Sequence, residues 1–122
     1  MSEKRYTVDE ANALLPSLVP KLEALRDAQS AMAERQDEVL SSATGNGGGA
    51  VGKEFLEASQ TAGRTLAEIN ALDIFVRDPA IGLIDFPAER DGEEIYLCWR
   101  LGEDAVGWWH PIDSGFAGRQ PL

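Results

Sequence analysis

Residues 81–101 read IGLIDFPAERDGEEIYLCWRL, and this stretch decides the fold. Two runs of alternating apolar and polar residues flank Asp91-Gly92, a dipeptide typical of a two-residue β-hairpin turn. A hairpin, 81–88 and 93–101, is therefore predicted around it. The turn fixes the register and places one apolar face on the hairpin. The facing pairs are Ala88 with Ile95, Phe86 with Leu97, and Ile84 with Trp99.

A third strand, 106–110, is predicted after the turn residues 102–105. A two- or four-residue loop would put Trp99 opposite Trp108 and place Trp109 beside Cys98 on the second face. A three-residue loop with a bulge would reverse the faces and send Trp109 inward. The pattern leaves both registers open.

The first half of the chain is helical in pattern. Thr7 and Glu10 form a capping box, which predicts a helix start. Pro16 and Pro20 then predict a short helical segment to residue 15, followed by a long helix to about residue 40. The apolar stripe is that of a heptad seam with Gln29 and Gln36 in two of its positions. Its apolar members are Leu15, Leu18, Leu22, Leu25, Met32 and Val39.

A glycine-rich stretch, 41–52, predicts a flexible loop, and a second helix should follow from residue 53 to about 73. Its apolar face carries Phe55, Leu56, Ala62, Leu66 and Ile69. A brief strand over residues 74–76 is also predicted. The predicted fold is α+β in one domain, 1–122. A long antiparallel helical hairpin (7–73) packs on a three- to four-stranded antiparallel β-meander, which a C-terminal tail follows (74–122).

Because both helices are longer than the strands, part of the helical stripe needs another partner. A second copy of the hairpin is the simplest one, so a homodimer through the helical hairpins is expected.

Charge and composition exclude several partners. The net charge is −10, and the basic residues do not cluster beyond Lys4-Arg5, which disfavours nucleic acid and anionic membranes. A single cysteine, Cys98, rules out an internal disulfide and a multi-thiolate metal site. The first residues lead into no apolar signal segment, and no apolar run is long enough to span a membrane. A cytoplasmic location is expected.

Two glycine-loop patterns resemble nucleotide-binding motifs but lack their context. Gly47 to Lys53 satisfies G-x-x-x-x-G-K, yet a helix rather than a strand precedes it, and Glu54 stands where a magnesium-binding hydroxyl is needed. The lone His110 has no second His or Cys at ligand spacing, so no metal and no cofactor are expected. No positive cluster activates Cys98, so no catalytic residue is assigned.

The face opposite the apolar one is the candidate site. In the predicted register Asp85 lies across from Cys98 and diagonal to Arg100. Arg, Tyr and Trp on one sheet face are the composition of an interaction hot spot, although an ion pair covered by the tail explains them equally well. The candidate ligand- or partner-binding residues are Asp85, Tyr96, Cys98, Arg100, Glu103, Trp109, His110, Asp113 and Arg119.

Five stretches carry a resemblance to a known family: YTVDEANALLP (6–16), GLIDFPA (82–88), YLCWRLGE (96–103), WH (109–110) and GFAGR (115–119). Together they resemble an uncharacterised bacterial family, domain-of-unknown-function family 2203. The resemblance implies a bacterial cytosolic protein and supplies no activity, cofactor or catalytic residue.

Two classes of function follow. The first is a homo-oligomeric interaction or regulatory module without catalytic activity. The alternative is a small-ligand-binding protein or minor enzyme that uses the polar sheet face and the C-terminal tail, with an unidentified protein or small molecule as partner. Saturable thermal stabilisation by a metabolite or metal would separate the two classes.

Overall fold

The computed structural model describes residues 4–42 and 49–122, with side chains for 4–36 and 52–122. Two helices precede a five-stranded antiparallel sheet, so the α+β prediction is confirmed. The helices are α1 (Val8–Ser42) and α2 (Gly49–Asn70). The strands are β1 (Phe75–Asp78), β2 (Leu83–Arg90), β3 (Glu93–Trp99), β4 (Trp108–Pro111) and β5 (Gln120–Pro121). Strands that follow one another in the chain are neighbours in the sheet.

Helix α1 begins at the predicted capping box. The Glu10 amide donates to the Thr7 hydroxyl at 3.1 Å, and the Thr7 amide donates to the Glu10 carboxylate at 2.9 Å. The predicted break near residue 15 is wrong, because the helix runs through Pro16 and Pro20. Both prolines are exposed, so water can hydrogen-bond the carbonyls that lose an amide partner.

The second helix begins at Gly49, earlier than predicted, and residues 43–48 of the predicted glycine loop lie outside the described residues. Helix α2 ends at Asn70, and Asp73 then takes a left-handed conformation with φ of 61°. This turn directs the chain into β1.

The apolar sheet face packs on the N-terminal half of α1 and the C-terminal end of α2. The core includes Ala11, Leu15, Leu18 and Leu22 from α1, Ile69 from α2, and Ile84, Phe86, Ile95, Leu97 and Trp99 from the sheet. A second cluster lies between the two helices and contains Leu25, Ala28 and Ala62. The described leucines of the predicted stripe are thus buried within one chain, whereas Gln29 and Gln36 are exposed. Val39 lies outside the described side chains.

The β2–β3 hairpin has the predicted register, with Phe86 opposite Leu97 and Asp85 opposite Cys98. Both turn residues have positive φ, 54° for Asp91 and 82° for Gly92, as the two-residue turn requires.

Strand β4 pairs Trp108 with Cys98, Trp109 with Leu97 and His110 with Tyr96. Of the two registers left open, the one that places Trp109 beside Cys98 is therefore wrong. Trp109 lies inward, as in the other register, and packs half-buried against the core, whereas Trp108 and His110 share the face of Cys98. The reason is that residues 100–107 form no short hairpin loop. The side chain of Val106 is buried in the core, and its amide donates to the Asn12 side chain of α1 at 2.8 Å.

Candidate functional site

Asp85 is a carboxylate buried in the middle of the sheet. It lies on β2, on the face opposite the apolar core, and is 2% exposed. Its Oδ2 accepts a hydrogen bond from Arg77 Nε at 2.9 Å, and its Oδ1 lies 3.0 Å from His110 Nε2. A buried carboxylate is costly unless both oxygens have partners, and here both do.

The orientation of the His110 ring is fixed by the backbone. Nδ1 lies 2.8 Å from the carbonyl oxygen of Pro111, and a carbonyl can only accept, so Nδ1 carries a hydrogen and donates it. In the neutral ring Nε2 then presents a lone pair to Asp85 Oδ1. Two acceptors cannot face each other at 3.0 Å without a cation between them. Either a proton or a metal ion satisfies this requirement.

Cys98 completes the buried cluster and is 1% exposed. Its Sγ, a ring nitrogen of His110 and a carboxylate oxygen of Asp85 all lie within 4.8 Å of one another. Burial first, and then the charge of Asp85, raise the pKa of the Cys98 thiol, while Arg119 lowers it, and the net pKa is about 12. In the absence of a metal the thiol is therefore neutral, which disfavours a Cys98–His110 nucleophilic pair.

A cavity of about 310 Å³ opens beside this cluster. The three buried groups lie on one side of it, and Ser114, Gly115 and Phe116 of the C-terminal segment lie on the other. Its remaining lining residues are Arg77, Leu83, Tyr96 and Ile112.

Arg77 lies at the edge of the cavity and is held by two aromatic rings. Its guanidinium carbon is 4.8 Å from the centre of the Phe75 ring and 5.0 Å from that of the Tyr96 ring. The Tyr96 ring in turn lies 5.5 Å from the His110 ring. The Arg77 side chain is 42% exposed, so it joins the buried carboxylate to the solvent.

A second ion pair holds the tail on the same sheet face. Arg119 Nη2 donates to Glu103 Oε1 at 2.7 Å and to the Cys98 carbonyl at 3.3 Å. The guanidinium lies over the rings of Trp108 and Phe116, at 5.0 and 4.8 Å. Among the described side chains, Arg119 Nε is a buried polar atom with no hydrogen-bond partner. This clamp places the tail beside the cavity.

Of the residues predicted from the sequence, the structure brings four together at the cavity: Asp85, Tyr96, Cys98 and His110. Glu103 and Arg119 form the adjacent clamp. Three do not join the cluster. Arg100 is exposed, with its guanidinium 5.6 Å from the Phe116 ring, Asp113 is exposed and does not line the cavity, and Trp109 lies on the other face.

The predicted diagonal pair of Asp85 and Arg100 is also wrong, because Arg77 and His110 hold the carboxylate instead. Sequence reasoning misses Arg77, because the predicted first strand ends at Val76. In FVRD (75–78) two apolar residues precede two charged ones, so no apolar–polar alternation extends the strand to Arg77. Phe116 was missed because nothing local shows that the tail folds back over the sheet.

No helix in the described parts of the chain has the length and apolar character needed to cross a bilayer. The family model described as "Uncharacterized conserved protein (DUF2203)" matches residues 4–122. No curated protein and no solved structure matches the chain.

Proposed function

The chain belongs to this uncharacterised family, and from its site alone we propose that it is a cytoplasmic small-ligand-binding protein. Its ligand would occupy the cavity between the polar sheet face and the C-terminal segment. The observation that carries the proposal is the convergence of three buried groups, Asp85, Cys98 and His110, on one cavity.

A purely structural role explains this convergence poorly. Replacing buried ionic groups by apolar residues of similar volume is often neutral or stabilising. The opposite face of the same sheet is built in that apolar way. Buried polar groups that line a cavity are, by contrast, the usual composition of a binding site.

The size and charge of the cavity limit the ligand. Ligand pockets span roughly 300–1,000 Å³, and this cavity, at about 310 Å³, is at the small end. It suits a metabolite smaller than a nucleotide. Arg77 at the edge supplies the exposed positive charge, which favours a ligand with a carboxylate or another anionic oxygen.

The homo-oligomeric interaction module remains a second proposal. The apolar stripe of α1 supports an oligomer less than the sequence indicates, because its leucines are buried within the single chain: Leu15, Leu18, Leu22 and Leu25. What favours it now is Leu56 on α2, which is 56% exposed. One exposed leucine is a small basis for an interface, so the cavity has priority.

The test is a thermal-shift screen of small carboxylates and other anionic metabolites on the protein as purified and after chelator treatment. A ligand at 100 times its Kd stabilises by about 2.7 kcal/mol, and the stabilisation keeps rising with the logarithm of the ligand concentration. The variant Phe116→Ser removes part of the cavity wall, and Leu56→Ser is its matched control, because both side chains are exposed apolar groups.

We expect stabilisation that is lost in Phe116→Ser and retained in Leu56→Ser. If no compound gives a stabilisation that rises with the logarithm of its concentration, or if Phe116→Ser leaves the effect unchanged, the cavity is not the ligand site.

A further inference from the structure

Three atoms of the buried cluster lie close to the positions that a metal ion requires. In a tetrahedral zinc site the metal–ligand distances are ~2.0–2.3 Å, which places neighbouring ligand atoms ~3.3–3.7 Å apart. Asp85 Oδ1 and His110 Nε2 are already 3.0 Å apart. Because the three ligand groups lie within 4.8 Å of one another, small side-chain adjustments bring Cys98 Sγ to coordination distance.

The surrounding hydrogen bonds orient these atoms toward a common point. His110 donates from Nδ1 to the Pro111 carbonyl, which leaves Nε2 as the ligand nitrogen. Metal-binding histidines almost always have such a partner on the other ring nitrogen. Arg77 occupies Oδ2 of Asp85 and leaves Oδ1 for the metal.

The charges of the cluster also balance around a divalent ion. One carboxylate, one thiolate and one neutral imidazole around a +2 ion give a neutral centre, which lowers the cost of burial. Thiolate and imidazole together select zinc-like ions over magnesium or calcium.

We propose that Asp85, Cys98 and His110 bind a divalent transition-metal ion of the zinc class, with its remaining coordination position directed to the cavity. This inference rests on the proposed function, since the ion would form the floor of the same ligand site. Three protein ligands with one open position are the arrangement of zinc sites that bind a further molecule.

The first experiment titrates Zn²⁺ alone into chelator-treated protein by calorimetry. We expect one ion per chain. The variant Asp85→Asn should weaken binding at least about 100-fold, because removal of a ligand exceeds the 10–100-fold effect of losing an outer-shell partner. Asp113→Asn is the matched control, since Asp113 is exposed and outside the cluster, and it should bind Zn²⁺ as the unmodified chain does.

The second experiment replaces Zn²⁺ with Co²⁺ and records the absorption spectrum. A thiolate ligand gives a charge-transfer band in the near ultraviolet, which Cys98→Ser should abolish. The spectrum of the unmodified protein decides the question even if a variant fails to fold. Absence of the band at one equivalent of Co²⁺, or binding of Zn²⁺ that Asp85→Asn leaves unchanged, would overturn the inference.

Failure of the metal site and failure of the ligand site are distinguishable. If Zn²⁺ does not bind but a metabolite stabilises the metal-free protein and requires Phe116, only the metal inference is wrong. If Zn²⁺ binds as expected and no metabolite stabilises either the metal-free or the zinc-loaded protein, the proposed ligand function is wrong and the metal site stands.

Discussion

Substitutions of Asp85 test how the buried pair with His110 holds its proton in metal-free protein. In Asp85→Asn the amide nitrogen can donate to His110 Nε2, and the amide oxygen can accept from Arg77, so both hydrogen bonds survive. In Asp85→Ala neither survives. Both variants remove the carboxylate charge, but only Asp85→Ala removes the two hydrogen bonds as well.

The magnitude follows from the exposure of the two partners. The His110 side chain is 3% exposed, and a buried polar group without a partner costs about 1–3 kcal/mol. The Arg77 side chain is 42% exposed, so water replaces the lost carboxylate and the cost is at most about 1 kcal/mol. Asp85→Ala should therefore lower the free energy of unfolding by about 1–4 kcal/mol. Asp85→Asn should lower it by about 1 kcal/mol or less.

The assay is urea unfolding with a chelator present, followed by the fluorescence of the buried Trp99. A loss of about 3 kcal/mol is a large part of the ~5–15 kcal/mol typical of a domain, so the two variants are easily separated. If Asp85→Asn is as destabilising as Asp85→Ala, the carboxylate charge itself is needed. His110 is then an imidazolium paired with the carboxylate, and the reasoning that the two hydrogen bonds account for the stability of the pair is wrong.

Four further predictions concern other parts of the chain. Gly82 has φ of +64°, and a Cβ there would lie 2.4 Å from Leu101 Cγ. Gly92 has φ of +82°, but a Cβ there would meet open space. Gly82→Ala should therefore unfold at a lower urea concentration than Gly92→Ala. Thr7→Ala should cost about 1 kcal/mol in urea unfolding through loss of the helix cap. The Cys98 thiol has its pKa at about 12. At pH 8 only about one molecule in ten thousand is thiolate, so iodoacetamide should label the native, metal-free protein far more slowly than the urea-unfolded protein. The rate of native labelling should increase as the pH rises. Rapid labelling of the native protein, measured by mass spectrometry, would contradict this. Light scattering should report the homodimer predicted from the helical hairpin, and a 13.2 kDa particle at tens of micromolar excludes it.

The parts of the fold that sequence predicted are those in which local chemistry agrees with the hydrophobic pattern. The β2–β3 register was correct because Asp91-Gly92 fixes the turn and the alternation of apolar residues fixes the faces. The start of α1 was correct because Thr7 and Glu10 satisfy each other.

The register of β4 was beyond local reasoning, since a contact distant in sequence decides it. The amide of Val106 donates to the Asn12 side chain, 94 residues earlier in the chain. Trp99 Nε1 also donates to the Glu103 carbonyl at 3.2 Å and shapes the same segment. Neither bond has a signature in the spacing of residues 100–107.

The two sheet faces explain why half of the candidate site was found and half was not. The strand alternation that buries Ile84 and Phe86 turns Asp85 to the other face. Its neighbour on β3, Cys98, then follows from the register alone. What covers that face does not follow, because the cover is a short tail without apolar periodicity. Its attachment depends on Arg119, which meets Glu103 and the Cys98 carbonyl only once the tail has folded back. A face covered by two helices would be dry and fully packed, whereas a face covered by a short clamped tail retains a cavity beside its buried polar groups. The site therefore lies where the fold has the least material to cover its sheet.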